Sequence, residues 1–306
     1  MALCVFDLDN TLGDFYLIDY FGLLLEPTII PNHFGYIDDK RKIFLTTINN
    51  YSKKEKELLL NLRNQFEKTI EKEEINIKIL RPNLKKILEP LVFQYEKHKI
   101  KGFIIYSNNA NLYVLEYAGR AIENMFHTPD LFIKYLDRNH EERNKFDSLD
   151  NSGYRSKMVK TITQYIDTKK PILFVDDLKH NDFYKNENVT YIMIPPFISN
   201  SDKIDLQIII LLFEDIFNRL SQEEKILFFN LYHIKDILQI YNVEDIKRKY
   251  LEYSREKRIP RVFKEDLPMI EEKINSFIKK VSTSGGKCKQ KNTRKHKRYT
   301  KKRKMY

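Results

Sequence analysis

Residues 5–12 read VFDLDNTL. The apolar run 3–6 stops at Asp7, and a second acid, Asp9, and a hydroxyl, Thr11, follow at intervals of two. A short apolar run that ends abruptly in polar groups is the pattern of a strand buried on both faces of a parallel sheet. Comparable runs recur at 103–106, 131–136, 172–175 and 189–194. The segments between them, 83–97, 113–126 and 156–166, carry apolar residues at helical spacing, interrupted only by Pro90. The alternation predicts an α/β fold: a doubly wound parallel sheet occupying residues 1–200.

Two regions fall outside that alternation. Residues 13–80 form an insertion whose second half, 52–74, has the charge pattern of an amphipathic helix, and a helical cap over the sheet edge is expected there. Residues 201–282 predict a helical extension, with candidate helices at 205–220, 222–240, 243–255 and 267–281. Ser284, Gly285 and Gly286 then make a flexible break before a disordered basic tail in the segment 283–306.

The chain has 306 residues and a formal net charge of +11, but that charge is not spread along it. Residues 287–306 hold eleven Lys or Arg and no acid, and the remainder carries 43 basic and 43 acidic side chains. The excess therefore describes an appendage and not a basic groove on the fold. Such an appendage attracts polyanions by releasing their counterions, so nucleic acid is a possible partner through 287–306; a solubilising or localising role fits it equally. Cys4 and Cys288 suggest no disulfide, which matches a reducing intracellular compartment, cytoplasmic or nuclear. No apolar run approaches the roughly 20 residues that would cross a membrane.

The chemistry gathers at the strand ends. In an open α/β sheet ligands bind at the carboxyl ends of the strands. There the chain places Asp7, Asp9 and Thr11, then Ser107 with Asn108 and Asn109, then Asp176 and Asp177. Lys157 opens a predicted helix 19 residues before Asp176. Taken singly these are turn residues, caps and a solvated lysine. Together they supply a nucleophile, a general acid/base, a hydroxyl donor, a cation and metal-binding acids on one rim.

In this order FDLDNTL, IIYSNN, Lys157 and LFVDD resemble the four motifs of the haloacid dehalogenase superfamily, whose fold is a Rossmannoid sheet. Within it, 80–88 and 131–140 are similar to the NLI-interacting-factor-like, or RNA polymerase C-terminal-domain, phosphatases. The long insertion before Arg81 departs from the nearly capless members of that group. The resemblance implies a Mg²⁺-dependent phosphatase in which Asp7 attacks phosphorus and Asp9 first protonates the leaving oxygen and then activates water. It implies Asp7, the backbone carbonyl of Asp9 and Asp177 as metal ligands, with Asp176 as a ligand or just behind. Thr11 would orient the loop, Ser107 would donate to a phosphoryl oxygen, and Lys157 would hold the phosphoryl group and Asp7. Lys160 is the alternative cation. Asn108 either contacts substrate or caps the next helix. His180 either approaches the leaving group or is a polar surface residue. The expected substrate is a phosphomonoester, phosphoprotein or small molecule; a polynucleotide end phosphatase and a non-catalytic binding module on the same fold are the competing expectations.

Overall fold

A computed structural model of the chain describes residues 1–25, 47–70, 79–149, 155–197, 214–257 and 267–283. The expected flexible break and basic tail, Cys288, and parts of the insertion and extension lie outside them. The strands are β1 (Ala2–Phe6), β2 (Ile100–Tyr106), β3 (Phe132–Leu136), β4 (Ser148–Leu149), β5 (Arg155–Ser156), β6 (Ile172–Asp176) and β7 (Val189–Met193). The principal helices are α1 (Tyr16–Leu25), α2 (Lys53–Ile70), α3 (Leu84–Glu96), α4 (Leu112–Phe126), α5 (Glu141–Phe146), α6 (Val159–Ile162), α7 (Asn181–Tyr184), α8 (Gln222–Phe229), α9 (Val243–Lys257) and α10 (Leu267–Thr283).

Five strands form one all-parallel sheet in the order β3-β2-β1-β6-β7. The chain thus winds from β1 toward one edge and then, through β6, toward the other. That reversal puts a topological switch point between β1 and β6, where an α/β sheet opens a crevice at its carboxyl end. The central strands β1 and β6 are buried at every position, whereas the edge strands β3 and β7 are partly exposed. Side chains alternate between two cores. Cys4, Phe6, Phe103, Ile105, Leu173 and Val175 join the larger one, and Leu3, Val5, Ile104, Tyr106, Ile172 and Phe174 join the smaller. The smaller core is closed by Val159 and Ile162 of α6 and Phe183 of α7. Cys4 is buried and unpaired, and no helix among the described residues is long and apolar enough to cross a membrane.

The larger core also takes in the insertion and the extension. In it α1 packs on α2, α4 and α9, α2 packs on α8, and α10 packs on α3 and β7. Phe21 of α1 stacks on Phe66 of α2, and the Tyr20 hydroxyl donates to the Ile246 carbonyl at 2.9 Å. Two helices depart from expectation. The segment 156–166 keeps only four helical residues: Ser156 pairs in β5, Met158 is extended at φ −124° and ψ 140°, and helix begins at Val159. Its first free N–H, that of Val159, is accepted by the Asp182 carboxylate at 2.6 Å, a cap that no local sequence encodes. The segment 222–240 is broken after α8, where a π-helical turn at His233–Ile237 replaces regular helix.

His233 accounts for that break. It is fully buried, and its Nε2 lies 2.9 Å from the Leu24 carbonyl, which only accepts, so Nε2 carries the proton. Nδ1 then accepts from the Tyr51 hydroxyl at 2.8 Å, and the Tyr51 oxygen accepts from the His233 backbone N–H at 3.1 Å. Burial pushes the imidazole pKa down to about 4. Between that value and the ordinary 6.5 the unfolded chain binds a proton that the folded chain refuses, so stability falls as pH drops through this window. The loss should approach ~3 kcal/mol. Denaturant unfolding at pH 7, 5.5 and 4.5 should show this slope in the wild type, and His233→Gln, weaker at every pH, should show it flattened.

Candidate active site

The sheet register builds the site. Phe6 pairs with Val175, so the next residues of the two neighbouring strands, Asp7 and Asp176, emerge side by side at the carboxyl edge. The Asp7 N–H donates to the Val175 carbonyl at 2.9 Å, extending the ladder to Asp7. Two buried carboxylates in this arrangement repel one another, and Lys157 lies between them. Its ammonium, on a side chain 2% exposed, donates to Asp7 Oδ1 and, at 2.7 Å, to Asp176 Oδ2. The non-helical backbone at 157–158, extended at Met158, delivers it there. Lys160 is exposed, with its ammonium 5.0 Å above the Phe146 ring, so Lys157 is the cation of the site.

Asp177 completes a cluster in which one oxygen from each of Asp7, Asp176 and Asp177 lies within 4.8 Å of the others. Three carboxylates against one ammonium leave two negative charges. Burial and the charges of Asp7 and Asp176 push the Asp177 pKa up to about 7. Burial raises that of Asp7 against the opposing pull of Lys157. Asp176, also buried, is held below the usual range by Lys157 and His180. This hard oxygen donor set and its charge deficit fit a divalent cation such as Mg²⁺. The carboxylate of Asp9 is not among the three; Asn109 Nδ2 donates to it at 3.3 Å.

The loop after β1 is held from several sides. Asn10 takes a left-handed conformation at φ 60°, which Asn tolerates better than most residues. At Gly13 a Cβ would stand 2.4 Å from the Ile79 carbonyl oxygen, so the loop passes the insertion's last strand-like contact only as glycine. Thr11 Oγ1 accepts from the Asp177 N–H at 3.1 Å and lies 3.5 Å from Asp177 Oδ1, tying the first acidic loop to the last. Beneath them Arg81 donates to the carbonyls of Thr11 and Asn10 at 2.7 Å and of Pro195 at 2.6 Å.

A second buried arginine supports the loop after β2. Arg143 of α5 is fully buried, donates to the Ser107 carbonyl, to Asn108 Oδ1 at 2.6 Å and to Asp147 Oδ2 at 2.7 Å. The other oxygen of Asp147 accepts from the Tyr106 hydroxyl and from Thr161 Oγ1 at 2.6 Å. The Tyr106 oxygen in turn accepts from the Met158 N–H at 2.9 Å, beside Lys157. Ser107 is 1% exposed and its Oγ accepts from the Asn109 N–H at 3.1 Å, which leaves its hydroxyl proton to donate elsewhere. Asn108 thus bonds to Arg143, and Asn109 is the residue that reaches Asp9. His180 is buried, with Nε2 3.2 Å from Asp176 Oδ2, and is not a surface residue.

Sequence reasoning gave no role to Arg81, Asn109, Arg143, Tyr106 or Asp147. Tyr106 and Asn109 stand inside the quoted IIYSNN and Arg81 inside the stretch 80–88, whereas Arg143 and Asp147 lie in no motif.

A cation bound by the folded site alone stabilises the fold by mass action. Millimolar Mg²⁺ should raise the melting temperature measured by scanning fluorimetry by several degrees, ~1–3 kcal/mol. Asp177→Asn should remove most of that rise while leaving a folded protein. An equal Mg²⁺ response in wild type and variant would exclude this cluster as the metal site. The chain matches no protein-family model and no curated protein.

Proposed function

We propose that the chain is a Mg²⁺-dependent phosphomonoesterase that works through an aspartyl-phosphate on Asp7. The observation that carries this reading is the Lys157 ammonium bonded to both Asp7 and Asp176, with Asp177 alongside, at the switch point of a parallel sheet. The order of residues that resembles the haloacid dehalogenase phosphatases supports it independently.

The division of labour follows from the environments. Asp7 must be ionised to attack; burial raises its pKa, and Lys157 is the group that opposes this and favours the charged form. Asp9 must hold a proton, and burial together with the charges of Asp7 and Asp19 pushes its pKa well above the usual carboxylate range. Asp7 Oδ bonds to phosphorus as the bond from phosphorus to the leaving oxygen breaks, and the Asp9 proton passes to that oxygen. Asp9, now ionised, takes a proton from water whose oxygen attacks phosphorus; the Asp7–phosphorus bond breaks and inorganic phosphate leaves. Asp7, Asp176 and Asp177, with the Asp9 carbonyl, would hold Mg²⁺, which when bound would screen the charge of the phosphoryl oxygens. Lys157 and the Ser107 hydroxyl offer preorganised donors to the same oxygens. Asn109 fixes the Asp9 carboxyl, and Arg143 positions the Ser107 loop from below.

Hydrolysis of an aryl phosphate and an alkyl phosphate, with Mg²⁺ and with EDTA, tests the scheme. EDTA should abolish turnover, and Asp7→Asn should cost at least ~10³-fold in kcat. Asp9→Asn should slow steady-state turnover of both esters by ~10²–10⁴, because each needs Asp9 to activate the attacking water, while the first equivalent of phenolate should still leave the aryl ester rapidly, because a phenolate leaves without a proton. Turnover that survives EDTA, or survives in Asp7→Asn, would overturn the assignment.

A further inference from the structure

Beside the carboxylate cluster lies a groove of about 420 Å³, bounded by the segment carrying Ser156 and Lys157 on one side and by α7 and the residues leading into it on the other. Its volume is that of a small-molecule site. Lys157 and His180, both in contact with Asp176, belong to its lining, so the groove adjoins the candidate reaction centre.

The chemistry of the remaining lining is one-sided. Ser148 and Ser156 offer hydroxyls, Asn181 an amide, and Lys179 and Lys185 ammonium groups on exposed side chains. The lining carboxylate is Asp182, and one of its oxygens is engaged by the Val159 N–H. Lys157 is already matched by Asp7 and Asp176, so Lys179 and Lys185 supply the groove's available positive charge. Against the single charge of Asp182, Lys179 and Lys185 leave the described lining, Lys157 and its carboxylate partners apart, one positive charge in excess, and this with the hydroxyl and amide donors suits phosphate oxygens. At the end of α7 the Tyr184 ring is 62% exposed, with the Lys179 ammonium 4.8 Å from its centroid. An exposed ring beside phosphate donors is the pairing that receives a base and its phosphate together.

We propose that this groove takes the nucleoside phosphate next to the scissile ester, so that the substrate is a phosphorylated nucleotide terminus carrying a second phosphate. This rests on the phosphatase reading for its chemistry but makes a separate claim about binding. The shared ligand chemistry has two sources, a free nucleoside bisphosphate and the 3′-phosphorylated end of a strand.

The test is fluorescence anisotropy of a 5′-labelled, 3′-phosphorylated dinucleotide with the full chain in EDTA, alongside hydrolysis of an aryl phosphate with Mg²⁺. The Lys179→Ala/Lys185→Ala protein should bind the dinucleotide about tenfold more weakly, and Tyr184→Ala about fivefold more weakly. In Mg²⁺ the preference for the dinucleotide over the aryl ester, as a ratio of kcat/KM, should fall about tenfold in the lysine variant. Displacement of the label by a nucleoside 3′,5′-bisphosphate as effectively as by a longer strand identifies a small-molecule substrate; displacement by the strand alone identifies a nucleic-acid end. Either supports the groove. Unchanged binding in both variants, or equal competition by a phosphoserine peptide, overturns it. Wild-type aryl phosphatase activity with unchanged variant binding removes only the groove. Weakened variant binding in a protein that hydrolyses no ester removes only the phosphatase reading.

Discussion

Two carboxylates forced side by side by the register of β1 and β6 would drive the edge of the sheet apart without the ammonium between them. Lys157 is the constraint around which the rest is arranged. An ion pair buried this deeply costs several kcal/mol of desolvation per charge, and only good geometry and further hydrogen bonds offset it. The chain provides both. Lys157 is delivered from a non-helical segment, Met158 is bonded to Tyr106, and the helix that follows is capped by Asp182. Asp176 makes a further bond through its other oxygen, which accepts from the Leu178 N–H at 2.8 Å.

The rim above the sheet is held by buried cations of a second kind. Arg81 joins the loop after β1 to the segment after β7, and Arg143 joins the loop after β2 to the helices that close the smaller core. Arg81 is aimed at three backbone carbonyls, which have nowhere else to find a donor once covered, and Arg143 at one, together with the Asn108 amide oxygen and the Asp147 carboxylate. The loops that carry Asp9, Thr11, Ser107 and Asn108 are therefore pinned from beneath, with their outer surfaces left to the ligand. Rigid support of this kind is what electrostatic stabilisation of a phosphoryl group requires, because donors that must reorganise lose most of their value.

Much of this was legible in the sequence, for a physical reason. Strands buried on both faces leave continuous apolar runs, and the polar residues that end them mark the ligand-binding edge without knowledge of the neighbours. Asp7, Asp176 and Asp177 could be found that way; Lys157, which ends no apolar run, reads only as the opening of a helix 19 residues before Asp176, and strand order could not be read at all. What escaped notice depended on distant partners. Arg143 sits in EERNKF, which reads as a solvated surface helix, and only its burial under the Ser107 loop gives it a role. Asn108 and Asn109 are indistinguishable in sequence, and Arg143 and Asp9 decide between them. The helices 156–166 and 222–240 were overestimated because periodicity does not register a lysine required in a non-helical segment or a histidine drawn into a core.

The position of β1 at the centre of the sheet has a bearing on how the protein is made. Its two neighbours are residues 100–106 and 172–176, so during synthesis β1 has no lateral partner until residue 100 has been made and is open on its other edge until residue 172 has. Helical segments beside it form locally, but the sheet waits on contacts of long sequence separation, the kind that slow folding. Throughout that interval the segment ALCVF, apolar at every position, is exposed with both edges available to other chains. The acids that follow it, Asp7 and Asp9, then serve as charged gatekeepers flanking an aggregation-prone strand. The same residues that would later hold a phosphate first keep the nascent chain from pairing with its neighbours.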